Sequence, residues 1–180
     1  SNVSVIMYHN FISQSDIANG ITFDDYSLDP EDFRSDLQWL RDNGYTTITS
    51  DDVIDYINGK KPLPVKAVII SIDDGTWGVY TNAWPLLDEY GMKADFNIVG
   101  ERIEESWKVQ QAEGTRSGMD DPYCVWDELR ELDKSGVFNI CSHTYSLHRW
   151  VDDGRHGAAM VSGESYDDYV ALIREDYSMV

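Results

Sequence analysis

An α/β fold built on a mostly parallel sheet, open or rolled into a (β/α) barrel, is what this sequence predicts, and three observations carry the prediction. Short apolar runs rich in β-branched residues alternate along the chain with segments whose apolar side chains recur at helical spacing. Glycines stand where the helical segments should stop, at Gly44, Gly91 and Gly136. The strongest run, Ala67 to Gly75 (AVIISIDDG), ends in two adjacent carboxylates and a glycine, as a strand delivering acidic groups to its carboxyl end would. Val68, Ile69, Ile70 and Ile72 suit a strand covered on both faces, which leaves Asp73 and Asp74 at its exit, since burying them unpaired would be costly.

Taken in order, Val3 to Tyr8 reads as a first strand with His9 at its end. Asp29 can cap and Pro30 can open a helix in which Phe33, Leu37 and Leu40 share a face. Thr46 to Ile48 is a short strand, and a helix from Ser50, as its cap, to Asn58 follows. Gly59 to Pro64 is a polar turn leading into the Ala67 strand. Val79 to Tyr90 is helical, and Lys93 to Val99 is the next strand. Glu101 to Pro122 shows no clear period and reads as a long surface excursion. Tyr123 to Gly136 returns to helical spacing through Val125, Leu129 and Leu132, Val137 to Cys141 is a strand, and Gly154 to Gly163 is loop. Ser165 to Val180 forms a last helix with Tyr166, Tyr169, Ile173 and Tyr177 facing inward. About five or six strands fall short of the eight that close a barrel of roughly 250 residues, and the chain stops on a helix, so the expected barrel is unfinished.

At 180 residues, with 42% apolar and 12% aromatic content, the expectation is one globular domain rather than a disordered chain. Fourteen basic against 33 acidic residues give a net charge of −19, a field that repels phosphate backbones and anionic lipid surfaces, so nucleic acid is excluded as an expected partner. No run approaches the length of a membrane-spanning helix, and no basic-then-apolar leader opens the chain, so any secretion signal is expected to be already gone. Cys124 and Cys141 are too few for a disulfide framework and match no zinc ribbon; Cys141, ending an apolar stretch, reads as a buried inert thiol.

The chemistry concentrates at two places. Successive side chains leaving a strand diverge, so one of Asp73 and Asp74 can bind metal while the other faces a substrate, with Gly75 permitting the sharp turn. An Asp-Asp-Gly is also an ordinary strand-terminating turn. The second place is SHTYSLHRW, beyond the Val137 strand. His143 and His148 are five apart, which puts them roughly 140° apart on a helix and on opposite faces of a strand. Only a loop that turns back on itself brings them together. Two imidazoles and a carboxylate from another strand end make a three-ligand metal site with a position open for water. His9, at the end of the first strand, reads equally as a proton donor near the site or as a histidine satisfied by backbone groups. Core filling is favoured for Trp126, at a helix start, and His156 reads as solvated.

SIDDG and SHTYSLH, in this order and spacing, resemble the polysaccharide deacetylases of carbohydrate esterase family 4, the NodB-homology domain, in the branch with the wider histidine spacing. The likeness also runs through VSVIMYHNF, Phe33 to Tyr45, LPVKAVIISIDDG, PLLDEYGMKADFNIVG and WDELRELDKSGVFNICSHTYSLH. It implies a distorted (β/α) barrel of the polysaccharide deacetylase type, incomplete at its C-terminus, with residues 1–180 a single, C-terminally truncated catalytic domain. It further implies Asp73 as catalytic base, Asp74, His143 and His148 as ligands of zinc or another divalent ion, and His9 near the chemistry; for the sugar substrate it implies, Trp77, just after the acidic turn, is the first choice for stacking on a ring and Tyr145 the second, with Trp107, Trp126 and Trp150 of the same capacity. The implied reaction is hydrolysis of N-acetyl groups on an N-acetylglucosamine-containing polysaccharide of the cell wall or an exopolysaccharide, at an extracellular or cell-envelope address. An O-acetyl esterase of xylan-type chains and a glycan-binding remnant of the fold are the alternatives. The family's later motifs (an arginine that orients the base, an aromatic and glycine segment, a general acid) have no match after His148.

Overall fold

The computed structural model describes residues 2–114, 122–149 and 154–179. Its elements run β1 (Ser4–Tyr8), β2 (Asn10–Phe11), α1 (Gln14–Ala18), β3 (Ser27–Leu28), α2 (Pro30–Asp42), β4 (Thr46–Ile48), α3 (Ser50–Ile57) and β5 (Ala67–Asp74). A wide helical turn at Val79–Ala83 leads into α4 (Trp84–Tyr90), followed by β6 (Ala94–Ile98), α5 (Gly100–Glu113), α6 (Trp126–Ser135), β7 (Phe138–Ser142) and α7 (Tyr166–Tyr177). The main sheet is wholly parallel, in the order β1-β5-β6-β7, with β4 paired to the first half of β5. Residues 10–11 and 27–28 make a second, two-stranded parallel ribbon. The sheet among the described residues is open, and no helix is long and apolar enough to cross a membrane.

Register decides where chemistry can collect. Val68, Ile70 and Ile72 of β5, with Ala94, Phe96 and Ile98 of β6 and Phe138 of β7, lie on one face and join Phe33, Leu37 and Leu40 of α2, Leu86 and Leu87 of α4 and Leu129 and Leu132 of α6 in one buried cluster. The opposite face is polar: Ser71 pairs with Asp95, Asp73 with Asn97, Asp95 with Asn139 and Asn97 with Cys141. Farther along that face, Val5 and Met7 of β1 are exposed. The reading of β5 as a strand buried on both faces is therefore corrected. Its Val68, Ile70 and Ile72 fill the core, whereas Ser71 and Asp73 on the other face belong to a hydrogen-bonded polar surface.

Three further sequence readings change. The stretch after Glu101, expected as irregular loop, is helix α5 as far as Glu113. Its buried stripe is Gly100, Ile103 and Ser106, which repeats every three residues but contains one large apolar side chain, so no hydrophobic period shows. Its polar residues are good helix formers, and Glu104 and Lys108 pair one turn apart at 3.4 Å. The cap of α3 is Thr49, not Ser50: Thr49 and Asp52 close a reciprocal capping box, while the Ser50 amide donates to the buried Asp95 carboxylate at 3.0 and 3.2 Å. On α7, Tyr166 and Tyr177 are exposed, and the residue buried on that helix is Asp176.

Every loop at the carboxyl end of the sheet starts from a strand end, so His9, Asp73, Asp74 and His143 arrive at one edge. The turn after β5 holds two successive residues at positive φ, Asp74 at 78° and Gly75 at 90°. At Gly75 an added Cβ would also lie 2.9 Å from Ile103 Cδ1. Gly44 has positive φ, 73°, but open space around it. Gly44→Ala is expected to cost about 1–2 kcal/mol from backbone strain alone. Gly75→Ala adds displacement of Ile103 to the same strain and should cost clearly more, as urea unfolding of the two variants will measure.

Candidate functional site

The site is assembled by three chain segments. From β5, Asp73 is 8% exposed and projects from the polar face; its Oδ1 accepts from Asn97 Nδ2 at 2.7 Å and Ser71 Oγ at 3.3 Å. Both bonds fall on one oxygen, so the other remains to accept a proton. Asp74 follows at positive φ, which turns its side chain away from Asp73 and toward the loop after β7.

That loop is held from several directions. The His143 amide donates to the Ile98 carbonyl at 2.8 Å, continuing the β6–β7 pairing. Thr144 then takes positive φ, 73°, and reverses the chain. Its Oγ1 accepts from the Leu147 amide at 3.2 Å, and the buried Leu147 anchors the loop's far end. Thr144 thus steadies the loop from within, as a short polar side chain bonding to nearby backbone does. The amides of Gly100 and Glu101, at the start of α5, donate to the carbonyls of Thr144 and Tyr145 at 3.2 and 2.8 Å.

The reversal brings the two imidazoles together, with ring centroids 4.6 Å apart. His148 Nε2 lies 3.1 Å and His143 Nε2 3.8 Å from the same oxygen, Asp74 Oδ1. That oxygen is buried and accepts no hydrogen bond among the described residues. One ligand atom from each of Asp74, His143 and His148 falls within 4.8 Å of the others. An unsatisfied buried carboxylate oxygen facing two nitrogen donors is costly for a protein alone and is what a divalent cation satisfies, so the residues present fit a metal. Burial holds the His148 imidazole below its ordinary range; Asp74 opposes this, and His143 and Arg102 reinforce it. Neutral imidazole is the ligating form.

Clefts open on both sides of this cluster. One, about 310 Å³, is lined by His9, Asn10, Asp24, Tyr26, Asp74, Thr76, Arg102, Tyr123 and His148. The other, about 420 Å³, is lined by Arg102, His148, Arg149, His156 and Gly157. His9 therefore shares a cavity with Asp74 and His148, while its carbonyl accepts from Thr76 Oγ1 at 2.9 Å and its ring meets Tyr26 at 5.2 Å.

The two aromatic residues chosen from sequence for sugar contact do not line either cleft. After the tight turn, Trp77 packs on the core and donates from Nε1 to Glu128 at 3.2 Å. Tyr145 contributes its backbone to the loop's hydrogen bonds. The exposed aromatic on a cleft wall is Tyr26, 66% accessible. Trp126 packs against the core and donates to Glu104 at 2.9 Å, as its place at a helix start suggested, whereas Trp150 lies outside the described residues. Cys141 is half-buried, with its thiol pushed up by burial, and neither cysteine is in a disulfide.

Sequence reasoning passed over Arg102. Its Nη1 is 3.6 Å from Asp74 Oδ2, its guanidinium lies 5.1 Å over the Tyr123 ring, and it borders both clefts. The signal was its position in the first turn of a helix that follows a sheet strand, and it was hidden because α5 itself was not recognised.

Residues 60–171 match the family described as polysaccharide deacetylase. The poly-β-1,6-N-acetyl-D-glucosamine N-deacetylase of Escherichia coli (strain K12) is 28% identical over 127 residues, covering 71% of this chain and 19% of the relative. The enzyme of the same name from Staphylococcus aureus (strain MSSA476) is 28% identical over 139 residues, 77% of this chain and 42% of its own. The chain thus spans about a fifth and about two fifths of these relatives. A solved de-N-acetylase structure from Aggregatibacter actinomycetemcomitans superposes with TM-score 0.77 and 26% identity over 98% of this chain and 71% of that one. Because the family match runs unbroken through both the Asp73–Asp74 turn and the histidine loop, the chain belongs to the polysaccharide deacetylase family.

Proposed function

We propose that this protein hydrolyses N-acetyl groups from an N-acetylglucosamine-containing polysaccharide of the cell wall or an exopolysaccharide, using a divalent metal ion held by Asp74, His143 and His148. The observation that carries the reading is the buried, unbonded Asp74 Oδ1 facing both imidazoles, with Asp73 beside it on the same strand. Relatives named as N-deacetylases of poly-β-1,6-N-acetyl-D-glucosamine support the substrate class. They also support an extracellular or cell-envelope site of action, where such polymers are met. Two imidazoles and a carboxylate suit zinc or another divalent ion, which when bound would supply a Lewis acid for the acetamide oxygen and lower the pKa of water at the site.

The protein's own groups do the rest. Asp73 takes the proton of the water that adds to the acetamide carbonyl carbon, through the oxygen that Asn97 and Ser71 leave open. The bond from that carbon to nitrogen then breaks, releasing acetate, and the amine on the sugar gains a proton. His9, which lines the 310 Å³ cleft with Asp74 and His148, gives it. Asn97 performs for Asp73 the orienting task that an arginine performs elsewhere in the family. A pure binding module has no use for an acid oriented in this way, which favours hydrolysis over a glycan-binding remnant. Tyr26, in place of Trp77, offers its ring to a sugar at the cleft wall.

Asp74→Ala and His148→Ala are expected to lose stoichiometric zinc binding measured by metal analysis after dialysis; full metal content in both would refute the ligand set. Asp73→Asn should keep its zinc and lose about 10²-fold or more in acetate release from an N-acetylglucosamine oligomer. Turnover at the parent rate would remove Asp73 from the mechanism. Tyr26→Ala should raise KM for the oligomer several-fold, matching about 1 kcal/mol of stacking, with kcat little changed and Tyr26→Trp close to the parent protein.

A further inference from the structure

One buried charged group near the site takes no part in the chemistry above. Asp176, on α7, is 5% exposed, and both of its oxygens are spent on the loop between the two histidines. Oδ1 accepts from the Tyr145 amide at 2.7 Å; Oδ2 accepts from the Ser146 amide at 2.8 Å and from Ser146 Oγ at 3.3 Å. A carboxylate bridging consecutive amides fixes the orientation of both peptides, and charge-assisted bonds of this kind are the strong ones. The carbonyls of Thr144 and Tyr145 are held from the other side by the first amides of α5. The segment that must fold back to face His148 toward His143 is thus gripped by two helices, by its carbonyls on one side and its N–H groups on the other.

We infer that Asp176 is a positioning residue for the metal centre, and that docking of α7 and capture of the cation by Asp74, His143 and His148 are thermodynamically coupled through it. The inference rests on the ligand set proposed above. Coupling is reciprocal: whatever factor α7 docking adds to metal affinity, metal binding adds to α7 docking. The geometry also supplies a sparing probe. In Asp176→Asn the volume is nearly unchanged and one oxygen can still accept, but the amide nitrogen meets an N–H donor, so one of the two backbone bonds is lost.

Two measurements test this on the full chain. In the first, zinc affinity is determined by chelator competition for the parent protein and Asp176→Asn, with cobalt(II) absorption as a report on ligand geometry. The expectation is affinity weaker by about tenfold or more, in line with other residues that orient metal ligands, and a changed cobalt spectrum. A merely structural role would lower the metal-free melting temperature and leave both readouts in place; unaltered zinc affinity and cobalt spectrum in Asp176→Asn would overturn the inference. The second needs no variant: hydrogen exchange of the parent protein with and without zinc. Zinc should slow exchange across Tyr166–Tyr177 and at the Tyr145 and Ser146 amides; unchanged exchange there, with zinc bound, would overturn the coupling even if Asp176→Asn fails to fold. If the parent protein binds no zinc at all, the ligand set itself fails and this inference falls with it.

Discussion

A carboxylate oxygen withdrawn from water and given no hydrogen-bond donor is the constraint around which this molecule is organised. Leaving such an acceptor unsatisfied costs about 1–3 kcal/mol, more for a charged group, and Asp74 Oδ1 carries that cost with two imidazole nitrogens close by. The backbone carries a second cost at the same point, since Asp74 and Thr144, both ordinary L-residues, are held at positive φ. The strain is local and functional in position. One turn aims the carboxylate and the other folds back the loop that brings the histidines to it. Neither would persist without the surrounding pairings: β5 with β6, β6 with β7, and the loop with α5 and α7.

The parallel sheet explains why these parts meet. Strands that all run in one direction bring every carboxyl end to the same edge, so His9, the two aspartates and His143, separated by up to 134 residues in the sequence, share one rim without any long-range device. What the sheet does not supply is second-order placement. Asn97 reaches Asp73 from the neighbouring strand, Arg102 reaches Asp74 from the helix above, and Asp176 reaches the loop from the last helix.

Much of this was legible in the residues themselves. The apolar runs of β5, β6 and β7 and the helical spacing of Phe33, Leu37 and Leu40 or of Leu129 and Leu132 are strong periodic signals because those side chains face one core. The five-residue gap between His143 and His148 was legible by exclusion, as regular structure cannot join them. What stayed hidden was hidden for physical reasons. A helix whose buried stripe is Gly100, Ile103 and Ser106 leaves no hydrophobic trace. A strand with one helix-covered face and one polar face looks fully buried when Ile69 interrupts the alternation. Asp176 lies 31 residues from Tyr145, and no local pattern marks a carboxylate whose partners are backbone amides elsewhere in the chain. Nor does adjacency in sequence to the acidic turn fix where Trp77 points: two positive-φ residues come before it, and its indole bonds to Glu128.

The two faces of the sheet also set different tolerances to change. Positions such as Val68, Ile70, Phe96 and Leu132 answer only to volume and apolarity, and cores accept coordinated exchanges of that kind. Ser71, Asp95, Asn97 and Asn139 answer to donor and acceptor identity, where a near-isosteric swap already breaks a bond. A protein engineer raising thermal resilience therefore has the helix-covered side to rework while Ser71, Asp73, Asp95, Asn97 and Asn139 are left untouched.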